Sequence, residues 1–258
     1  MTQAMTQAIL VSHGQPSDTE AGEAEIAQLA QRVAAQKGMQ AIGLPVAGVT
    51  LAAKGRLEAL LSRHPTALVY PMFMSDGWFT RAQLRRRMGA AQGPGQDRAQ
   101  VLAPFGTDPD LPWAAAQALQ AECAARGWSS GETGLAILAH GSGRSPFAAL
   151  DTVIFADRLR RHMPWADLRL GFVEQAPSLV TALSRMPHPA LALPFFAARR
   201  GHVREDLPQA ATQAGFVGHM LDPLGLFDMV PGMIARSLMR ATSADTDQYD
   251  PSPTKDAG

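Results

Sequence analysis

Short apolar runs alternate with amphipathic stretches along almost the whole chain, and this alternation constrains the fold more than any other feature. The runs are AILVS (8–12), AIGLPVAG (41–48), ALVYPMFM (67–74), AQVLAPF (99–105), GLAILAH (134–140), LRLGFVE (168–174), ALALPFF (190–196) and FVGHMLD (216–222). Between the first two, Ile26, Leu29, Ala30 and Val33 recur at helical spacing. Strands separated by helices pair in parallel, because each helix carries the chain back over a face of the sheet. The pattern predicts an α/β protein of eight βα units. Eight units in 258 residues would also suit a closed (β/α)8 barrel.

Repetition within the chain favours open sheets over the barrel. SRHPTALVYPMFM (62–74) reads against SRMPHPALALPFFA (184–197), and LAPFGTDPDLP (102–112) against LDPLGLFDMVP (221–231). LVSHG (10–14) reads against LAHG (138–141). Pro71 then aligns with Pro194, Pro104 with Pro223 and His13 with His140, at offsets of 123, 119 and 127 residues. A few loop insertions explain that drift. The chain reads as a duplicated half of four βα units, giving open parallel-sheet subdomains at 8–128 and 133–240. The join falls in ARGWSSGETG (125–134), rich in Gly and Ser, and the polar stretch 241–258 reads as a disordered tail.

Composition narrows the partners. Lys and Arg total 23 and so do Asp and Glu, so no general affinity for nucleic acid is expected. The single cysteine, Cys123, excludes an internal disulfide and a cysteine-based metal cluster. No apolar run approaches the roughly 20 residues of a membrane span, and the N-terminal residues lack the pattern of a secretion signal. A soluble, cytoplasmic protein is expected.

In parallel α/β sheets, ligands bind beyond the carboxyl ends of the strands. The second half places His140 at the end of its first strand, Glu174 at the end of its second, and His202 after its third, in RRGHVRED. One such histidine is more often a hydrogen-bonded structural residue than a ligand. Three consecutive strands delivering two imidazoles and a carboxylate to one edge make a divalent-metal or proton-transfer site the better reading. His64, His162, His188 and His219 lack such company and read as surface or loop residues.

HGS at a strand end, FVEQAPSL entering a helix, PFF followed by GHVREDLP, and finally DPLG together resemble the class II tetrapyrrole chelatases. These are the sirohydrochlorin cobaltochelatases and ferrochelatases. The resemblance covers about residues 8–240 as architecture, and its specific motifs lie within 135–231. It implies ATP-independent insertion of Co²⁺ or Fe²⁺ into a sirohydrochlorin-type tetrapyrrole in a cleft between two lobes. His140, Glu174 and His202 match the functional positions, both as metal ligands and as catalytic groups. The implied partners are the macrocycle and the substrate metal, with no further cofactor. The chemistry agrees: a macrocycle loses two N–H protons as the metal enters, so the site needs a proton acceptor and ligands loose enough to release the ion. Arg144, Arg199, Arg200 and Arg204 flank the histidines and could hold the substrate's carboxylates, or form a solvated basic face.

The first half keeps His13 but departs elsewhere. Leu51 falls opposite Glu174, with Thr50 or Ala52 as one-residue alternatives, and Trp78 falls opposite His202. This half reads as a wall whose Met74, Trp78 and Phe79 could pack on a flat ring or simply fill core. Three other activities compete. GWSSG (127–131) matches a serine-hydrolase elbow but sits before a strand. A histidine phosphatase would need arginine where Ser12 and Ala139 precede the histidines. A metal or tetrapyrrole carrier would keep the ligands without turnover.

Overall fold

The computed structural model describes residues 7–92, 98–143 and 147–246. All eight predicted strands form, in two four-stranded parallel sheets rather than one barrel. β1 (Ala8–Ser12), β2 (Val46–Thr50), β3 (Leu68–Pro71) and β4 (Gln100–Val101) make the first, in the order β2-β1-β3-β4. β5 (Gly134–Ala139), β6 (Asp167–Phe172), β7 (Ala190–Pro194) and β8 (His219–Met220) make the second, in the order β6-β5-β7-β8. Identical strand orders are what duplication predicts.

The connections are helical. α1 (Thr19–Ala34), α2 (Lys37–Ile42), α3 (Arg56–Arg63), α4 (Arg85–Gln92) and α5 (Leu111–Ala125) belong to the first half of the chain. α6 (Phe147–His162), α7 (Leu179–Leu183), α8 (Gly201–Arg204), α9 (Asp206–Ala214) and α10 (Val230–Thr246) belong to the second. One strand starts later than its sequence suggests. Ala41 and Ile42 end α2, Gly43 caps that helix in the left-handed region at φ 65°, and pairing begins only at Val46. The periodicity was apolar on both sides of the cap, so only the glycine marked the break.

The chain divides into two compact units that cut across its sequence halves. One comprises Met1–Tyr70, Met88–Leu102 and Ile234–Gly258, the other Pro71–Arg87 and Ala103–Met233. The last helix of each half is exchanged: α5 packs on α6 in the unit of the second sheet, while Met239 of α10 sits against Gly38 in the unit of the first. α10 runs on to Thr246, into the stretch read as a tail, and residues 247–258 lie outside the described set. No helix among the described residues is long and apolar enough to cross a membrane.

The second sheet is fixed by a continuous apolar cluster. Ala136 and Leu138 of β5 and Ala192 of β7 pack with Leu179, Ala182 and Leu183 of α7 and with Leu207 and Ala210 of α9. Leu138 and Leu183 are almost wholly buried, and each such side chain contributes about 1.5–3 kcal/mol. Because α7 and α9 follow β6 and β7, this packing sets where the loops at the carboxyl edge begin.

Candidate functional site at the carboxyl edge of the second sheet

From β5 the chain goes to one side to form β6, then crosses to the other side to form β7. Right-handed crossovers put those connections on opposite faces, which opens a crevice at the carboxyl ends where the order reverses. His140 is the first residue beyond β5. Its backbone carbonyl accepts the Glu174 N–H at 3.0 Å, so the ladder between β5 and β6 continues just far enough to set the two side by side. Gly141 then turns the chain at φ 70°. A Cβ there would lie 2.9 Å from Gln175 Cγ and 3.0 Å from Phe172 Cβ, so the turn requires glycine. The Ser142 N–H donates to Gln175 Oε1 at 2.8 Å and ties this loop to the one carrying Glu174.

The third member comes from β7. Chain leaving Pro194 reaches α8, and His202 in that helix lies with its ring centroid 4.6 Å from that of His140, edge to face at 82°. Glu174 Oε1 stands 3.8 Å from His140 Nε2, too far for a direct hydrogen bond. The three residues singled out in the sequence therefore converge. Their side chains are 42–49% exposed, which leaves them open to a substrate rather than packed in the core. Among the described residues, no group of three or more His, Cys, Asp or Glu is arranged to enclose a metal ion.

Hydrogen bonds assign the imidazole protons. His140 Nδ1 lies 3.0 Å from the Gly141 carbonyl oxygen, and His202 Nδ1 lies 2.6 Å from Asp206 Oδ2. A carbonyl and a carboxylate oxygen can only accept, so each Nδ1 carries hydrogen and each Nε2 keeps its lone pair in the neutral ring. In their neutral form the two imidazoles thus turn Nε2 lone pairs outward beside one carboxylate. These are the donor types of a divalent-metal site, and they are also groups that accept protons.

The basic residues divide. Arg144 lies outside the described residues. Arg199 is paired with Asp222 of the DPLG segment, so its charge is already met. Arg200 immediately precedes α8, and Arg204 is exposed on it. Asp206, Asp222 and Gln175 were missed in the sequence. Asp206 had a signal, since it follows His202 by four residues, the spacing of neighbours on a helix face. Asp222 and Gln175 act across loops, which spacing does not reveal.

Among the described residues, the first sheet holds no such set. His13 follows β1 as His140 follows β5, but its carbonyl accepts the N–H of Ala52 at 3.1 Å. The structural counterpart of Glu174 is therefore Ala52, not Leu51. The helical bond from Arg81 N–H to Gly77 matches that from Arg204 N–H to Arg200, which pairs Phe79 rather than Trp78 with His202. Trp78 is exposed and Met74 half-buried, while the side chain of Phe79 lies outside the described set. Desolvation lowers the pKa of His13, partly offset by a backbone hydrogen bond, even though the residue keeps an exposed edge. GWSSG lies before β5 in a 3-10 turn at Ser130–Glu132, not on a strand-to-helix elbow.

Comparisons with known proteins bear on this edge. The CbiX family model matches residues 134–241. A solved CbiX, described as the terminal enzyme for biosynthesis of siroheme in denitrifying bacteria, is 38% identical over 91% of this chain and 99% of its own, with a TM-score of 0.80. SirB from Bacillus subtilis with Fe³⁺ is 15% identical over 95% of this chain and 98% of its own, at TM-score 0.71. The sirohydrochlorin chelatase SirB from Bacillus subtilis subspecies spizizenii, in complex with cobalt, is 15% identical over 95% and 99%, at 0.65. At that identity the two SirB structures speak for the fold alone. No curated protein sequence gives a significant match.

Proposed function

The chain belongs to the CbiX family of class II tetrapyrrole chelatases, and from that premise we propose that it inserts a divalent metal into a sirohydrochlorin-type macrocycle at the edge carrying His140, Glu174 and His202. The observation that carries this reading is the convergence of His140, Glu174 and His202, all half-exposed, with the Nδ1 of each imidazole facing an acceptor oxygen. Fe²⁺ is the favoured substrate metal, because the 38%-identical relative ends the biosynthesis of siroheme, an iron tetrapyrrole. Co²⁺ is the runner-up, since imidazole and carboxylate donors accept either ion.

In the proposed reaction, His140 and His202 receive the ion through Nε2 and release it to the ring nitrogens. Glu174, a half-exposed carboxylate beside His140, would take up protons as the pyrrole N–H groups are lost. Two protons leave as one dication enters, so the exchange conserves charge and changes no oxidation state, and the proposed reaction runs without ATP. Arg199, Arg200 and Arg204 flank the site and would meet substrate carboxylates, Arg199 by giving up Asp222 and Arg204 from its exposed position on α8.

A steady-state assay pairing Fe²⁺ and Co²⁺ with sirohydrochlorin and with protoporphyrin tests this. Many equivalents of metallated sirohydrochlorin per chain without ATP, fastest with Fe²⁺, are expected. A single bound equivalent with no turnover would make the protein a carrier and overturn the catalytic reading.

A further inference from the structure

We infer that Asp206 is a positioning residue for metal capture: its carboxylate holds the Nδ1–H of His202 and so presents Nε2 as the donor atom. The inference rests on the proposed metal insertion and adds a residue to it. The contact, 2.6 Å from Nδ1 to Oδ2, is short and charge-assisted. It spans the junction between α8 and α9 at Glu205, whose φ of −118° and ψ of −65° bend the chain between the two helices. One helical turn thus carries the histidine and the next begins with the carboxylate. The start of α9 is itself anchored, because Leu207, the next residue, is buried in the apolar cluster of the second sheet that also holds Leu138 and Leu183. The carboxylate is therefore fixed from below, while the imidazole above it stays 42% exposed.

The two histidines are held by different means. His140 Nδ1 donates to the backbone carbonyl of the next residue, a contact that depends on no partner side chain. His202 depends on a side chain. A free neutral imidazole can carry its proton on either nitrogen, and a ring protonated on Nε2 has no lone pair facing outward. A carboxylate on Nδ1 settles the tautomer, restrains ring rotation and makes Nε2 a better donor. Loss of such a partner typically weakens metal binding about 10–100-fold.

Steady-state insertion with Asp206→Ala, Asp206→Asn and His202→Ala tests this, with nitrogen NMR of the imidazole rings read alongside. Asp206→Ala should raise the KM for metal about 10–100-fold and leave the KM for tetrapyrrole unchanged. Asp206→Asn, whose amide oxygen still accepts from Nδ1–H, should recover most of the loss. His202 should show the Nδ1–H tautomer in the wild-type protein and a mixture in Asp206→Ala. A wild-type metal KM in Asp206→Ala, when His202→Ala has lost insertion, would overturn the inference and leave the proposed function standing. If His202→Ala also inserts metal normally, the proposed site fails instead. Where Asp206→Ala does not fold, the wild-type spectrum decides alone, and an Nε2–H tautomer for His202 overturns the role.

Discussion

The carboxyl edges of the two sheets share a backbone and differ in what stands on it. Each begins with a strand running into His-Gly, and each glycine turns at nearly the same angle, φ 68° at Gly14 and 70° at Gly141. In each, the histidine carbonyl accepts an N–H from the loop after the neighbouring strand. Further along, the Gly106 and Gly225 N–H groups donate to Phe73 and Phe196 at 2.9 Å in both cases. Yet one edge offers His140, Glu174, His202 and Asp206, and the other offers His13 beside Ala52. Duplication has preserved the backbone geometry at both edges, while among the described residues only the second copy carries the groups proposed to do chemistry. A histidine at such a strand end therefore says little until its neighbours on adjoining strands are counted.

The largest expected effects break this comparison at its centre. His140→Ala and His202→Ala should each reduce metal insertion to near background, while His13→Ala keeps most of it. Rates measured at matched thermal stability check this, and equal losses at His13 and His140 would contradict a single site. Glu174→Gln keeps the shape of the side chain and removes its basicity. Its rate should fall about 10²–10⁴-fold at saturating metal and macrocycle if the carboxylate takes the protons. A glutamine variant with wild-type turnover would remove Glu174 from the mechanism.

Much of this was legible in the sequence because it follows from period and position. Strands betray themselves by apolar runs, and the repeat of Pro71 and Pro194 showed that the halves correspond. His140 and Glu174 could be placed because each lies at a strand end, where the direction of the chain fixes the edge. What stayed hidden depends on packing across the chain. The exchange of α5 and α10 leaves no local trace, since each helix is apolar on one face whichever sheet it covers. The neutralising of Arg199 by Asp222 joins residues on separate loops. Register slipped by one at Ala52 because no side chain there announces its partner; only the backbone bond to His13 does.

Smaller effects sharpen the comparison from either side. Arg200→Gln with Arg204→Gln should raise the KM for tetrapyrrole by about 10-fold or more, with kcat little changed, if these residues hold carboxylates. Added salt should reproduce part of that loss, since exposed charges are screened. An unchanged KM would show that this face is only solvated. The two glycines after β4 and β8 provide the opposite case, a feature in which the halves should behave alike. A Cβ on Gly106 would run into the carbonyl of Met74, and one on Gly225 into that of Ala197. Gly106→Ala and Gly225→Ala should each destabilise the protein by about 1–3 kcal/mol, measured by denaturant unfolding. A loss at only one of them would mean that the two turns are not structurally equivalent.

The smallest effect belongs to His13, where Ala52 takes the place that Glu174 holds beside His140. Desolvation holds its pKa below the ordinary imidazole value of 6.5, with a backbone hydrogen bond opposing the shift. The sign of the linkage follows. Above pH 6.5 the ring is neutral in folded and unfolded chains, so it contributes no pH dependence. As pH falls through 6.5 the unfolded chain takes up the proton first, and stability declines until the pH drops below the lowered folded value. His13→Gln removes the titrating group and with it this decline. Melting temperatures of the two proteins should therefore keep a constant separation above neutrality, and the variant should gain on the wild type as the solution is taken toward pH 5. Parallel curves across the whole range would show that the ring is as well solvated when folded as when unfolded. The first edge would then be simply an exposed surface, with no partly dried pocket around its remaining histidine.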